Sequence, residues 1–180
     1  MELIVIGGMI GVVTLWVVAV QRGLVHREEL CTNSLSQIGV QLSSRWDLVT
    51  AMARMVKQYA EHEYQTLTGV IGMRKDLDAG ASVRDIEEQE SLLGRLVGNI
   101  KVVSERYPTL KADHVYIETM DTMREFEENV RLSRMVYNDS VTRFNRFVRQ
   151  IPNNFVAGMF GFQVHEYLKD DMKKQDFPQV

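Results

Sequence analysis

No charged residue occurs between positions 3 and 20, and no proline occurs before Pro108. The first absence leaves roughly 18 consecutive apolar or small residues, about the lower bound for a helix that crosses a bilayer. The second removes the residue that most reliably ends a helix from more than half of the chain. Cysteine is reduced to Cys31 alone, which excludes an internal disulfide framework. Cys31 is read as a small, half-buried helix residue, with palmitoylation or an intermolecular bridge as the alternatives its place beyond the apolar run suggests. Period-two alternation is never sustained long enough to make a strand. A formal net charge of −3 supplies no basic face with which to neutralise phosphates, so nucleic acid is not an expected partner.

Signatures of chemistry are equally scarce. The chain has no GxGxxG or GxxxxGK[ST] loop, and the glycines of "GMFGF" lack the lysine and flanking strand of a phosphate cradle. A di-metal carboxylate bundle needs Glu-x-x-His pairs, yet none of His26, His62, His114 and His165 follows a glutamate at that spacing. His62-Glu63 and His165-Glu166 begin like a zinc-protease helix but lack the second histidine. No catalytic, cofactor-binding or metal-binding residue is therefore expected, and His62 reads as an exposed helix-surface side chain.

What is present is helical. Residues 3–20, "LIVIGGMIGVVTLWVVAV", read as an uncleaved anchor rather than a secretory signal, because no basic residue precedes the apolar core. Trp16 suits the headgroup interface. Gly7, Gly8 and Gly11 include a small-xxx-small pair compatible with close helix packing in lipid. Arg22 and Arg27 follow the span, so the positive-inside rule places the N-terminus outside and the rest of the chain in the cytoplasm.

Beyond the anchor, Leu35, Leu42, Val49, Val56, Val70 and Leu77 recur at heptad spacing, with Ile38, Met52, Tyr59 and Met73 in the complementary positions. Arg45 and Thr66 interrupt that seam. Apolar residues off the seam, such as Trp46 and Leu67, widen the stripe toward a bundle with several neighbours. A break is expected at "DAGAS", residues 78–82, with Gly80 as a cap and Ser82-Asp85 opening the next helix. That helix carries Ile86, Leu93, Leu96, Ile100, Val103 and Tyr107, and Pro108 ends it. A third helix extends to about residue 150 through Met120, Met123, Val130, Tyr137, Val141, Phe144, Val148 and Ile151.

The expected fold is all-α: an N-terminal transmembrane helix, then an elongated antiparallel bundle of three long helices and a short C-terminal one. Its boundaries fall at residues 1–22 for the anchor, 23–165 for the bundle and 166–180 for a polar tail. "IPNNFVAGMFGFQV", residues 151–164, breaks the polar helical pattern. Pro152 ends the third helix, Asn153 or Asn154 caps a short one, and Gly158 and Gly161 allow a tight turn. Its large apolar residues are expected to bury against the chain's own bundle. A neighbouring subunit is the second choice, and the membrane surface the third, since residues 152–164 contain no basic side chain.

The order of these features resembles the LemA family of bacterial membrane-anchored helical proteins. Residues 33–63, "NSLSQIGVQLSSRWDLVTAMARMVKQYAEHE", look like its Q-I-x-V-Q-L run, its R-x-D-L-V and its closing Y-x-x-H-E. "YPTLKA" matches its Y-P-x-L-K-A turn. "YNDSVTRFNRFVRQIPNNFVAGMFGF" matches Y-N-x-x-V-x-x-Y-N followed by F-P-x-N-x-x-A-x-x-F-G-F. Three departures stand out. Thr50 occupies a usual proline position, so the first helix should run straighter; Phe144 replaces the second tyrosine of the double Y-N pattern; His114-Val115 stands where Asn-Phe is common.

The resemblance implies a membrane-anchored antiparallel bundle in the bacterial inner membrane and supplies no catalytic assignment. The expected function is a non-enzymatic structural or scaffolding protein that self-assembles through its helices. The alternative is an adaptor binding another membrane or cytoplasmic protein. The bilayer, further copies of the chain and an unidentified protein are the expected partners, and no cofactor is expected. Tyr137, Asn138, Phe144, Asn145, Pro152, Asn154, Phe155, Met159, Phe160, Gly161 and Phe162 are the candidates for a structural lock or a subunit interface.

Overall fold

The computed structural model describes residues 1–77 and 80–169. Asp78 and Ala79 of the expected break, and residues 170–180 of the expected polar tail, lie outside the described residues. Six helices follow one another: α1 (Glu2–Tyr59), α2 (Glu61–Ile71), α3 (Val83–Arg106), α4 (Pro108–Lys111), α5 (His114–Arg149) and α6 (Asn153–Phe160). No strand occurs among the described residues. The chain is all-α, with a long apolar N-terminal helix and further helices that pack together. It divides into two compact units, one of residues 33–135 and one of residues 1–32 with the chain from Val136 onward. Helices α1 and α5 each contribute a stretch to both.

Within residues 33–135 the heptad positions become the core. Ile38, Leu42, Val49 and Val56 of α1 are fully buried, as are Ile86, Leu93, Leu96 and Ile100 of α3. Met123 and Val130 of α5 join them. Arg45, which interrupts the seam, is buried nonetheless, with Glu127 as its ionic partner at 3.6 Å. Polar bonds tie the helices together. The Tyr59 hydroxyl donates to Asp113 at 2.8 Å, and Asp113 also accepts the Val115 N–H at 2.8 Å at the start of α5. The hydrogen bond from Tyr59, then that from Val115, hold the Asp113 carboxyl below its usual range. Tyr116 donates to the Ser104 hydroxyl at 2.9 Å, and Arg134 pairs with Glu90.

One expectation needs correction. The helix that carries the expected anchor, α1, continues unbroken through Thr50 and stops at Tyr59 rather than near residue 77. At Ala60 the backbone leaves the helical region (φ −151°, ψ 75°). The heptad register is lost there: Leu67, off the seam, is buried, while Val70, on it, is only half-buried.

The chain then leaves α2 at Gly72 and continues without helix through residues 74–77. Its backbone groups find another partner in the fully buried Gln89. Gln89 Oε1 accepts the Lys75 N–H at 3.0 Å, and Gln89 Nε2 donates to the Met73 carbonyl at 3.2 Å. Gly39 leaves room for this segment, since a Cβ there would lie 3.1 Å from the Leu77 carbonyl oxygen. Ser82 opens α3 as expected, with a reciprocal capping box to Asp85.

Candidate functional site

In the unit formed by residues 1–32 and the chain from Val136, α1 and α5 lie antiparallel. A Cβ on Gly23 would lie 3.1 Å from the Phe147 ring, whose face also receives the Arg27 guanidinium at 4.0 Å. Farther along α1, Cys31 is near enough to Tyr137 to act on its phenol. Both side chains are buried. Burial, then Cys31 and Glu166, pushes the Tyr137 phenol up to about 12, and burial with Glu28 pushes the Cys31 thiol up to about 11. Cys31 is therefore protonated at neutral pH and a poor nucleophile.

After α5 the chain turns at Pro152, forms α6, and reverses again at Gly161. That glycine has φ 78°, a left-handed conformation that glycine adopts without a Cβ penalty. The Phe162 N–H reaches back to the Ala157 carbonyl at 3.0 Å and the Gly161 N–H to Gly158 at 3.4 Å, the paired bonds of a Schellman cap. Residues 162–169 then run without helix back along α5.

This returning ribbon is held by the side chains of the double Tyr/Phe-Asn repeat. Asn145 Nδ2 donates to the His165 carbonyl at 2.9 Å, and its Oδ1 accepts the His165 N–H at 2.8 Å. Asn138 does the same with Leu168, at 3.0 Å in both directions. Between them, the Tyr137 hydroxyl donates to the Glu166 carbonyl at 2.9 Å. The spacing follows from helix and strand geometry. Seven residues of α-helix rise about 10.5 Å, and three residues of extended chain span about 10 Å. Two asparagines one heptad apart thus meet two ribbon residues three apart. Phe144, which lacks the tyrosine hydroxyl, packs against the His165 ring in a T-shaped pair with the ring centroids 4.7 Å apart. His165 also brings Nε2 to 3.5 Å from Glu28 on α1.

The remaining candidates are placed differently. Pro152 and Asn154 are exposed, and neither Asn153 nor Asn154 caps α6, which begins after Pro152 with no side-chain cap. The expectation that residues 151–164 close over their own bundle holds at Val156 and Ala157, which are buried, and at Phe162, half-buried. It fails at Phe155, Met159 and Phe160, which are 71%, 66% and 51% exposed, and at Ile151 at the end of the α5 seam. An eight-residue helix has one inward stripe, and Val156 with Ala157 occupies it.

Sequence reasoning missed the ribbon's role, because the asparagines bind backbone, and backbone has no residue signature. The seven-residue spacing of the repeat was the available signal. In the first part of α1, Gly7, Gly8 and Gly11 face open space, Trp16 is half-buried and Arg22 is exposed. An open cleft of about 410 Å³ is lined by Thr142, Asn145, Arg146, Arg149, Gln150 and Tyr167. Among the described residues, no group of three or more His, Cys, Asp or Glu side chains is placed to hold a metal ion.

The arrangement can hold a non-helical stretch of chain against a helix. Among curated proteins the chain is similar to magnetosome proteins MamQ 1 and MamQ 2 of Paramagnetospirillum magneticum. Each is 29% identical over 77 residues, 43% of this chain and 28% of the relative. It is also similar to magnetosome protein MamQ of Magnetospirillum gryphiswaldense, 23% identical over 99 residues, 55% of this chain and 36% of the relative. The aligned stretches thus span well under half of these relatives' lengths. The LemA family profile matches residues 34–180, a span that takes in both asparagine rungs, the α6 turn and the returning ribbon, and the chain belongs to the LemA family.

Proposed function

We propose that this chain is a single-pass, membrane-anchored, non-enzymatic structural protein that self-assembles through its helical domain, with its N-terminus outside and the bundle in the cytoplasm. The observation that supports it best is the first part of α1. An 18-residue window there has a mean hydropathy of 2.6, and 6% of it is buried within the protein. A core helix of a water-soluble protein with that hydropathy would be covered by its neighbours. Here Leu3, Ile4, Val12 and Leu15 are each more than 65% exposed, as lipid contact would allow. Arg22 and Arg27, after the run, support the orientation. Anchors held in one plane raise effective concentration, so weak lateral contacts suffice for assembly. The resemblance to proteins named for the magnetosome fits a structural role and supplies no reaction.

The test is extraction followed by mass. The full chain should stay in the membrane pellet through an alkaline carbonate wash, and a chain lacking residues 2–20 should not. Release of the full chain by carbonate would sink the anchor. Mass photometry in lipid nanodiscs should then show discrete particles larger than one 20.7 kDa chain. Single-chain mass at every loading would sink self-assembly and leave the adaptor role.

A further inference from the structure

The unit that contains the anchor also carries an uncovered apolar patch, and helix geometry sets its depth. Along the antiparallel pair, each residue toward the N-terminus of α1 is matched by one toward the C-terminus of α5, about 1.5 Å per step. From the Gly23–Phe147 contact, three steps reach Val20 on α1 and Gln150 on α5. Val20 is the last residue of the apolar run and is buried, and Trp16 and Val17 within the run are half-buried, whereas residues 1–15 are all exposed. The rest of the same unit is the chain from Val136 onward. Helix α5 therefore ends level with the end of the apolar span, and α6 follows at that depth.

At this depth Ile151, Phe155, Met159 and Phe160 stand exposed within ten residues of chain. Phe155 and Met159 are one helical turn apart and share a face. The basic groups that residues 152–164 lack are supplied by α5. Arg146 and Arg149 line the open cleft with Thr142 and Gln150, and neither arginine has an ionic partner among the described residues. Exposed apolar side chains on α6 and unpaired guanidinium groups at the end of α5 form the combination that an interfacial helix presents to anionic lipid.

We propose that α6 with the Arg146/Arg149 cleft is a second membrane contact, in which Phe155 and Met159 enter the headgroup–acyl boundary and the arginines engage phosphates of anionic phospholipids. The proposal rests on the anchor reading above. A second copy of the chain is the less favoured occupant, because it would have to fit between this patch and the bilayer that the span brings alongside it.

The experiment uses the full chain in nanodiscs of phosphatidylcholine, with or without phosphatidylglycerol. Spin labels are placed by Phe155→Cys, by Met159→Cys, and at the exposed control Leu132→Cys. Native Cys31 is buried and takes no label, which the unsubstituted chain verifies. Collision rates with oxygen and with a water-soluble nickel chelate report depth, and quenching of Trp16 by brominated lipid reports the anchor independently. The oxygen-to-nickel ratio should be several-fold higher at positions 155 and 159 than at 132. It should rise further with phosphatidylglycerol, and Arg146→Gln with Arg149→Gln should abolish that rise.

Labels as water-accessible as the control, with Trp16 still quenched, would overturn the second contact and leave the anchor standing. Labels shielded from both reagents and broadened by neighbouring labels would assign the patch to a second copy and overturn the proposal. An unaffected ratio in the arginine variant would remove the cleft from it. An unquenched Trp16 would remove the anchor reading itself.

Discussion

Asn145→Ala tests whether the returning ribbon is held by side-chain amides. Asn145 is 4% exposed and gives the ribbon two hydrogen bonds, at 2.9 and 2.8 Å, both to the backbone of His165. A typical internal hydrogen bond contributes about 0.5–1.5 kcal/mol net, so losing two removes roughly 1–3 kcal/mol. The middle of that range, about 2 kcal/mol, is close to a 30-fold change in an opening equilibrium. The loss should be local, because α5 keeps its helical bonds and Asn138 and Tyr137 still hold Leu168 and Glu166. Native-state hydrogen exchange reads this directly. The His165 amide should exchange about 30-fold faster, the Leu168 amide should change less, and the amides of residues 120–140 in α5 should not change. An unaltered His165 amide would show that the rung carries no free energy. Uniform acceleration through α5 would show that Asn145 supports the whole fold rather than the ribbon.

Asn145→Asp adds a pH dependence: the carboxylate still accepts the His165 N–H but opposes the His165 carbonyl, whereas the neutral acid restores the donor. Its folded pKa should therefore be raised, with ribbon protection present at acid pH and lost as pH rises through that value, and a flat exchange profile would contradict the assignment. Gln89→Leu leaves the Met73 carbonyl and Lys75 N–H without their partner, and should lower the unfolding free energy by about 1–3 kcal/mol in urea titration; an unchanged midpoint would refute that role. Gly39→Ala places a Cβ 3.1 Å from the Leu77 carbonyl oxygen and 3.2 Å from its Cβ, and should cost about 1–3 kcal/mol through overpacking, read by the same titration. Burial raises Cys31 from 9.0 to about 11 and Tyr137 from 10.0 to about 12, so above pH 9 the unfolded chain binds fewer protons than the folded one. Stability should be full below pH 9 and fall as pH rises through 11 and 12, and Cys31→Ala should remove the earlier part of that fall in urea titrations at stepped pH.

The parts of the fold legible in the sequence are those where burial repeats. The heptads of α3 and of α5 from Met120 to Val148 name residues that are buried, because one helix face meets the core turn after turn. The same logic extended too far at both helix ends. "YAEHEYQ" is good helical sequence, so no local propensity marks the break at Ala60; the backbone conformation there belongs to the packed state. Ile151 keeps the heptad spacing but lies beyond the last helical residue of α5, where spacing no longer determines direction. At α6, hydrophobicity alone predicts burial. Val156 and Ala157 obey that rule, while Phe155 and Met159 face out, and hydrophobicity alone does not distinguish a neighbouring protein surface from lipid.

The non-helical stretches at residues 74–77 and 162–169 carry the common physical logic of this fold. An extended backbone displays N–H and C=O groups that a sheet would pair, and an all-α protein has no sheet to offer. A primary amide is the side chain that presents one donor and one acceptor in the plane of a peptide, so it can replace a strand neighbour one residue at a time. Gln89 does so for Met73 and Lys75, Asn145 for His165 and Asn138 for Leu168. Carboxylates lack the donor and hydroxyls lack the reach to satisfy both groups. An amide on a helix face, with an extended stretch elsewhere in the chain of matching rise, is therefore a pattern that sequence reading can seek where heptads stop.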